Sequence, residues 1–179
     1  MRNKRDLPKK EEIMTKFISL HNRGHFQYYS YPLATFKTKA LRLTVPDYQR
    51  DYVWEKERYQ SYIKTLADGR MPAAPVFIDT RNKDNHTWEI IDGKHRIKAI
   101  LDFVNNKLEV DGVYYKDMDI AERRSFDMII IPTYDVRSIS KEEVIQLYLD
   151  LNFAAVPHTG QDREKAENIL EALEVIDKE

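Results

Sequence analysis

An abrupt change of hydrophobic period near residue 92 constrains the fold more than any other feature of the sequence. Thr87 to Ile91 is a short apolar run typical of a buried strand, and the pair Asp92-Gly93 that follows it is a strong turn signal. From His95 to Val104 the apolar residues recur at helical spacing. A strand, a glycine turn and a helix therefore follow one another without a linker, so the turn must lie where a sheet meets a helix.

Short strand-like runs and helical segments alternate along the rest of the chain. Further strands are predicted at residues 41–45, 74–79 and 128–134, and an Asp-Gly pair at 110–113 gives the strongest hairpin signal. Further helices are predicted at residues 8–22, 59–66, 121–126, 141–151 and 162–176, and a Ser140–Glu143 capping box opens the fourth of these. This pattern predicts an α+β fold.

The N-terminal part of the chain differs in character from the rest. Residues 25–40 are rich in tyrosine and contain Pro32, and we expect an irregular, partly extended connection there. A chain of 179 residues is the usual size of one domain. We therefore expect one compact unit, with an N-terminal helix and connection over residues 1–40 and the main domain over 41–179. The tyrosine-rich segment 28–31 is a candidate surface for a homodimer.

Composition excludes several kinds of chemistry. The chain has no cysteine, which excludes disulfides, thiolate nucleophiles and cysteine-ligated zinc. The formal net charge of -1 argues against a protein that coats nucleic acid by bulk charge, but it does not exclude a local basic site. No apolar run approaches the ~20 residues of a membrane span, and the charged N-terminus lacks a signal-peptide core. We expect a cytoplasmic protein that does not bind membranes.

Residues 90–100 (IIDGKHRIKAI) have the features of a phosphate-binding turn. A helix that starts directly after a glycine turn presents backbone N–H groups at its positive end, where anions bind readily. Lys94, His95 and Arg96 add three side-chain donors at the same place, and Asp92 could hold a metal ion or orient a water. The alternative is an ordinary Asp-Gly turn with solvated Lys94 and Arg96.

Two other segments are candidates for the same site. Residues 45–54 (VPDYQRDYVW) carry Gln49 and Arg50 among aromatic side chains, and residues 147–152 (LYLDLN) end an apolar helix at Asn152. On their own these segments have structural explanations. The aromatic residues would pack over a sheet edge, Arg50 would pair with a neighbouring aspartate, and Asn152 would cap its helix.

The three segments together resemble, in order and spacing, the motifs of the DUF262 family. That family is part of the ParB/sulfiredoxin-like superfamily, and this chain resembles in particular the N-terminal domain of GmrSD-type restriction proteins. The family pattern is roughly Ile-Pro-x-Tyr-Gln-Arg-x-Tyr-x-Trp, then Asp-Gly-Gln-Gln-Arg after a strand, then an apolar helix that ends in Leu-Asn. The resemblance covers about residues 41–170 and implies a small mixed sheet flanked by helices. Sulfiredoxin chemistry itself needs a cysteine and is excluded.

In such relatives the Asp-Gly-Gln-Gln-Arg turn binds a nucleoside triphosphate and supports its hydrolysis or controls a clamp. The resemblance therefore implies catalytic roles for Asp92, as a Mg²⁺ ligand, and for Gln49. Tyr48 and Trp54 are expected to support the loop. The expected phosphate and nucleotide contacts are Arg50, Gly93, Lys94, His95, Arg96 and Asn152. Lys94 and His95 stand where the pattern has two glutamines. Glutamine can position a water and lysine cannot, so the sequence favours binding over hydrolysis.

Three functions stay open at this point. The leading one is a nucleotide-binding domain, a Mg²⁺-dependent nucleoside triphosphatase if it is an enzyme, in phage or bacterial defence, anti-defence or DNA processing. The second is a ParB-like DNA-binding protein or nuclease that grips DNA phosphates with Arg50 and the Lys94–Arg96 run. The near-neutral charge and the absence of a His-Asn-His nuclease signature weigh against it. The third is a non-catalytic module that binds a host or phage protein.

Overall fold

A mixed five-stranded sheet organises the part of the chain that the structure describes. The computed structural model describes residues 25–69, 73–80, 87–137, 139–153 and 168–169. Along the chain the strands are β1 Phe26–Pro32, β2 Leu43–Thr44, β3 Val76–Asp79, β4 Trp88–Asp92 and β5 Ile130–Val136. Their spatial order is β1-β5-β3-β4-β2. The β1–β5 and β3–β4 pairs are antiparallel, whereas the β3–β5 and β2–β4 pairs are parallel. The fold is therefore α+β, as predicted.

Helices pack on both faces of this sheet. They are α1 Leu33–Ala40, α2 Lys56–Ala67, α3 Lys94–Val104, α4 Ile120–Asp127 and α5 Lys141–Phe153, with a short 3₁₀ turn at Tyr115–Asp117. Side chains alternate across a strand, so neighbouring residues of β4 face different layers. Ile90 packs in a core formed with α1 to α4, and Ile91 packs in a second core formed with α5. Both isoleucines are buried, which fixes the strand that leads into the predicted turn.

The segment predicted as an irregular connection is regular, and that prediction is wrong. Residues 26–32 form β1, and residues 33–40 form α1, which buries Leu33 and Phe36 completely. Pro32 does not interrupt this structure because it is the N-cap of α1, a position where the missing N–H costs no helical hydrogen bond. The segment therefore contributes one strand to the sheet and one helix to the core.

The predicted hairpin at residues 110–113 forms its turn but not its strands. Asp111 and Gly112 adopt φ values of 51° and 80°, the left-handed backbone that such a turn requires. Pairing stops at a single bridge between Val110 and Val113, because the 3₁₀ turn begins at Tyr115. The strand predicted at 41–45 is also shorter, at Leu43–Thr44. The predicted helix at 8–22 lies outside the described residues, and only 168–169 of the helix predicted at 162–176 are described, both helical.

Candidate functional site

The turn between β4 and α3 is built around one glycine. Strand β4 ends at Asp92, helix α3 begins at Lys94, and Gly93 between them has φ 103° and ψ 9°. Residues with a side chain rarely adopt this backbone conformation. A Cβ atom on Gly93 would also lie 3.1 Å from a methyl carbon of Val76 and 3.2 Å from Nη2 of Arg96. The backbone conformation therefore favours glycine here, and an added Cβ would require Val76 and Arg96 to shift by a few tenths of an ångström.

Helix α3 begins without a cap among the described residues. Gly93 has no side chain to accept from the first backbone N–H groups, and the first turn contains no acidic residue. The first intrahelical bond runs from the Ile97 N–H to the Gly93 carbonyl, at 2.9 Å. The N–H groups before Ile97 therefore have no intrahelical acceptor. Such a helix start attracts an anion through its N–H groups and through the helix dipole.

Asp92 and Arg96 form an ion pair across the turn. The Arg96 Nη2 atom lies 2.5 Å from Oδ2 of Asp92, and the two side chains are 15% and 30% exposed. Both residues were expected to contact the ligand directly, Arg96 through phosphate and Asp92 through Mg²⁺. The carboxylate thus engages one nitrogen of the Arg96 guanidinium group.

Two buried polar side chains tie the first motif to this turn. The Gln49 amide nitrogen donates to the carbonyl of Ile90, and also to that of Ile91 at 3.1 Å. The Lys94 ammonium donates to the backbone carbonyl of Arg50. Gln49 and Lys94 are 5% and 6% exposed. These contacts hold the loop that carries Arg50 against the end of β4, so in this structure Gln49 and Lys94 position their neighbours.

The His95 side chain packs against aromatic side chains beside the turn. Its ring stacks on Trp54, with centroids 5.0 Å apart and planes 9° apart, and Nδ1 lies 3.1 Å from the Tyr59 hydroxyl. Burial, reinforced by the charges of Lys94, Arg50 and Arg58, lowers the pKa of His95 from 6.5 to about 4. His95 is therefore uncharged at neutral pH. The supporting role expected of Trp54 remains a prediction; the structure shows its ring stacked on His95.

The three sequence segments meet at one cavity of about 220 Å³, which confirms the predicted proximity of the turn, Gln49 and Arg50. Among the described residues, three cationic side chains and one carboxylate line it, which gives an excess of two positive charges. The residues that line the cavity are Gln49, Arg50, Trp54, Asp92, Gly93, Lys94, His95, Arg96, Tyr148 and Asn152. A small, positively charged concavity of this kind suits a compact anion.

Helix α5 contributes Asn152 and Tyr148 to the cavity. The Asn152 side chain donates to the Tyr148 carbonyl, one turn earlier, at 2.8 Å. The expectation that Asn152 would bond one of the other two motif loops is therefore wrong, although it lies at the same cavity. Tyr148 was not predicted; its position four residues before Asn152, on the same helix face, was the available signal. Tyr48 lies behind the cavity, buried edge-to-face against Tyr148.

Two classes of site are not found in the described part of the chain. Within residues 25–69, 73–80, 87–137, 139–153 and 168–169, no group of three or more carboxylate or histidine side chains could hold a metal ion. None of the helices in these residues combines the length and the apolar character that a membrane-spanning helix requires.

The structure thus defines an α+β domain with a positively charged cavity at a strand-to-helix turn. The chain belongs to the family of the GmrSD restriction endonuclease N-terminal domain, whose sequence model matches residues 33–179. No curated protein matches the chain.

The chain is also similar to a solved structure of the C-terminally truncated chromosome-partitioning protein ParB from Caulobacter crescentus, complexed with CTP-gamma-S. The TM-score is 0.42 and the sequence identity 12%. The similarity covers 80% of this chain and 62% of the ParB chain, less than two thirds of its length.

Proposed function

We propose that this domain binds a nucleoside triphosphate through its phosphates at the Gly93 turn. The observation that carries the proposal is the uncapped start of α3, which opens on a cavity with an excess of two positive charges. A helix start left without a cap or an acidic residue costs stability, and a bound anion offsets that cost. Membership of a restriction endonuclease domain family supports a role in bacterial or phage defence.

In this proposal the N–H groups of the first turn of α3 hold one phosphate group. Arg96 exchanges its bond to Asp92 for a bond to phosphate, and Arg50 contacts the phosphates from the other side of the cavity. Guanidinium groups suit this task because they present several donors in a fixed plane. The Lys94 ammonium, bound to the Arg50 carbonyl, adds positive charge and keeps Arg50 in place.

Mg²⁺ fits this site only together with a phosphate ligand. Mg²⁺ is usually held by one or two carboxylates, substrate phosphates and waters, and Asp92 is the one carboxylate among the described residues that line the cavity. We propose that Mg²⁺ enters with the nucleotide and that Asp92 contacts it once Arg96 has turned to phosphate. The metal would neutralise phosphate charge beside the carboxylate.

The proposal concerns binding, and hydrolysis is a separate step to be measured. Hydrolysis would also require a group that orients water, and Gln49 is the residue assigned to it by the resemblance. The Gln49 amide nitrogen already donates to the carbonyls of Ile90 and Ile91. A water could therefore be held only by its amide oxygen.

The size of the cavity favours a nucleotide over a DNA duplex. Specific protein–DNA interfaces bury roughly 1,000 Å² or more of protein surface, usually with a strongly positive face. Here the positive groups surround a cavity of about 220 Å³, and the chain as a whole has a net charge of -1. The proposal is therefore for a small phosphate ligand.

Calorimetric titration with ATP, CTP, GTP and UTP, each with and without Mg²⁺, tests this function. We expect saturable binding of at least one nucleotide, strengthened by Mg²⁺, and phosphate release is measured on the same samples. A gel-shift assay with duplex DNA runs in parallel. Absence of nucleotide binding up to millimolar concentration, together with a DNA shift, would replace this proposal by the DNA-binding one.

A further inference from the structure

His95 is buried, yet only one of its two ring nitrogens has a hydrogen-bond partner. Nδ1 lies 3.1 Å from the Tyr59 hydroxyl, and Nε2 is shielded from solvent with no partner among the described residues. Buried polar atoms are nearly always paired, so an unpaired one beside a cavity needs an explanation. His95 is one of the residues that line the candidate phosphate cavity. A ligand in that cavity is the natural partner for Nε2.

The surroundings of the ring determine whether Nε2 carries a proton and can donate a hydrogen bond. Burial raises the pKa of Tyr59, which keeps its hydroxyl protonated and able to donate to Nδ1. A neutral imidazole that accepts at Nδ1 carries its proton on Nε2. A second proton on the ring is disfavoured, because the ring is buried among three positive groups, Lys94, Arg50 and Arg58. Tyr52, the other titratable neighbour, meets the ring edge-on.

The orientation of the ring is also fixed. Trp54 stacks on one face with planes only 9° apart, and Tyr59 fixes the side that carries Nδ1. A 180° flip of the ring would break the bond to Tyr59. The imidazole is therefore held in one orientation, with Nε2 the nitrogen left to be satisfied.

We propose that His95 is an uncharged hydrogen-bond donor to a phosphate oxygen of the ligand through Nε2–H, and that Tyr59 is the positioning residue that sets this tautomer. The inference deepens the proposed function and rests on it. The contact assigned to His95 is a hydrogen bond from a neutral ring, so it depends on the orientation of the N–H group and hardly on charge. The contacts of Arg50 and Arg96 depend on charge. Because Nε2 is shielded from solvent in this structure, the contact requires the ring or the side chains that cover it to shift on binding.

Nitrogen-15 NMR of the histidine rings, before and after addition of inorganic tripolyphosphate, tests the contact directly. We expect His95 to be in the Nε2–H tautomer in the ligand-free protein, and its Nε2–H signal to move on binding while Nδ1 stays unprotonated. A Nδ1–H tautomer, or a Nε2–H signal that does not move because Nε2 bonds only a trapped water, would overturn the proposal.

Three variants separate the role of His95 from that of Tyr59. His95→Leu removes the donor and should weaken tripolyphosphate binding about tenfold, the equivalent of one hydrogen bond. His95→Gln retains an N–H near the position of Nε2 and should lose only about threefold. Tyr59→Phe should give a mixture of tautomers in the NMR spectrum and a loss between these two values. Equal affinity of His95→Leu and the wild type would overturn the contact.

The dependence on pH distinguishes a neutral donor from a charged one. The affinity ratio of wild type to His95→Gln should stay constant between about pH 5.5 and 7.5, because neither side chain changes charge there. A ratio that rises as the pH falls would mean that His95 binds phosphate as a cation, and would overturn the inference. If the wild type binds neither tripolyphosphate nor any nucleotide, the proposed function fails. If it binds but His95 does not respond, only this inference fails.

Discussion

Helices α4 and α3 differ in how the unpaired backbone N–H groups at their N-termini are treated. At the start of α4, the Asp119 side chain accepts from the Glu122 N–H and the Glu122 side chain accepts from the Asp119 N–H, both at 2.8 Å. These two bonds satisfy two of the N–H groups that a helix start leaves over, and both side chains are acidic, which suits the helix dipole. At the start of α3, glycine stands in place of the cap and the basic run Lys94–Arg96 stands in place of the acids.

This difference indicates whether the N-terminus of each helix has a structural role or a ligand-binding role. The α5 helix repeats the α4 solution, since Ser140 and Glu143 bond each other's backbone N–H groups. Helices α1 and α2 also begin without a side-chain cap, so the start of α3 is set apart by the basic run Lys94–Arg96 and by the cavity that it faces. At α3 the N-cap is glycine, which costs about a few tenths of a kcal/mol relative to a capping side chain, and the basic run adds unfavourable charge. That loss is understandable if the N–H groups are kept for a ligand.

The largest effect we expect is on anion binding at α3. Arg96→Ala should weaken tripolyphosphate or nucleotide binding by about 1.5–3 kcal/mol, the usual value of a charged hydrogen bond. Asp92→Ala should behave differently: binding without metal should hold or improve, because repulsion and competition for Arg96 are removed. The additional binding caused by Mg²⁺ should disappear. Calorimetry with and without Mg²⁺ measures both effects.

Arg124→Ala is the matched control, because Arg124 lies in the capped helix α4. It should leave anion binding unchanged. An equal loss of affinity in the Arg96 and Arg124 variants would mean that the site is a diffuse basic surface, and the contrast between the two helix starts would lose its functional meaning. Melting curves of each variant verify that it is folded.

The next effect concerns the glycine that replaces a cap. Gly93→Ala should destabilise the fold by about 2 kcal/mol, since both the left-handed backbone and the contact with Val76 oppose a side chain. Gly112→Ala is the control. Gly112 also has a positive φ, but nothing lies within 4 Å of an added Cβ, so the cost should be about 1 kcal/mol. Urea unfolding measures both, and equal losses would show that the space around Gly93 is unimportant.

A third effect is a pH dependence of stability that arises at α3. His95 has a pKa of about 4 when folded and 6.5 as the ordinary value. Between these values the unfolded chain binds more protons, so stability is fully present above about pH 6.5 and is lost as the pH falls toward 4. We expect a loss of about 1.5 kcal/mol, less than the full shift implies, because water in the cavity screens the ring.

His95→Gln should remove this component of the pH dependence, and the comparison of wild type and variant by urea unfolding at pH 7 and at about pH 4.5 isolates it. Other titrating groups contribute equally to both proteins. The same slope in both proteins would contradict the assignment of the low pKa to His95.

The smallest effect is expected at α4. Asp119→Ala should cost about 1 kcal/mol of stability through the loss of the capping box, with no change in anion binding. Thermal unfolding and calorimetry on the same preparation measure the two quantities. An effect on binding would show that the two helix starts are coupled, which the comparison above does not assume.

Sequence reasoning reached the turn because its signals are local. A buried run, an Asp-Gly pair and a helical period are readable within about fifteen residues, and β4, Gly93 and α3 lie where these signals place them. The error at residues 25–40 has a different origin. Tyrosines on an edge strand and a proline at an N-cap look irregular when the segment is read alone. The regular structure of β1 comes from its pairing with β5, about 100 residues later.

Individual side-chain partners could not be predicted for a related reason. Lys94 looked like a phosphate ligand because it is basic and lies at a helix start, but its ammonium bonds the Arg50 carbonyl, 44 residues earlier. The low pKa of His95 likewise depends on burial and on Arg50 and Arg58, which come from other parts of the chain. Sequence patterns identify which residues meet at the cavity, whereas tertiary contacts decide which of them remain available.

The position of β4 between two cores affects how ligand binding changes the stability of the whole domain. Ile90 is anchored among four helices and Ile91 against the fifth, so the carboxyl end of this strand has little freedom to move on its own. A ligand held there contacts a strand end that both layers of the folded domain support. Ligand binding should therefore raise the free energy of global unfolding and slow hydrogen exchange of amides throughout the sheet.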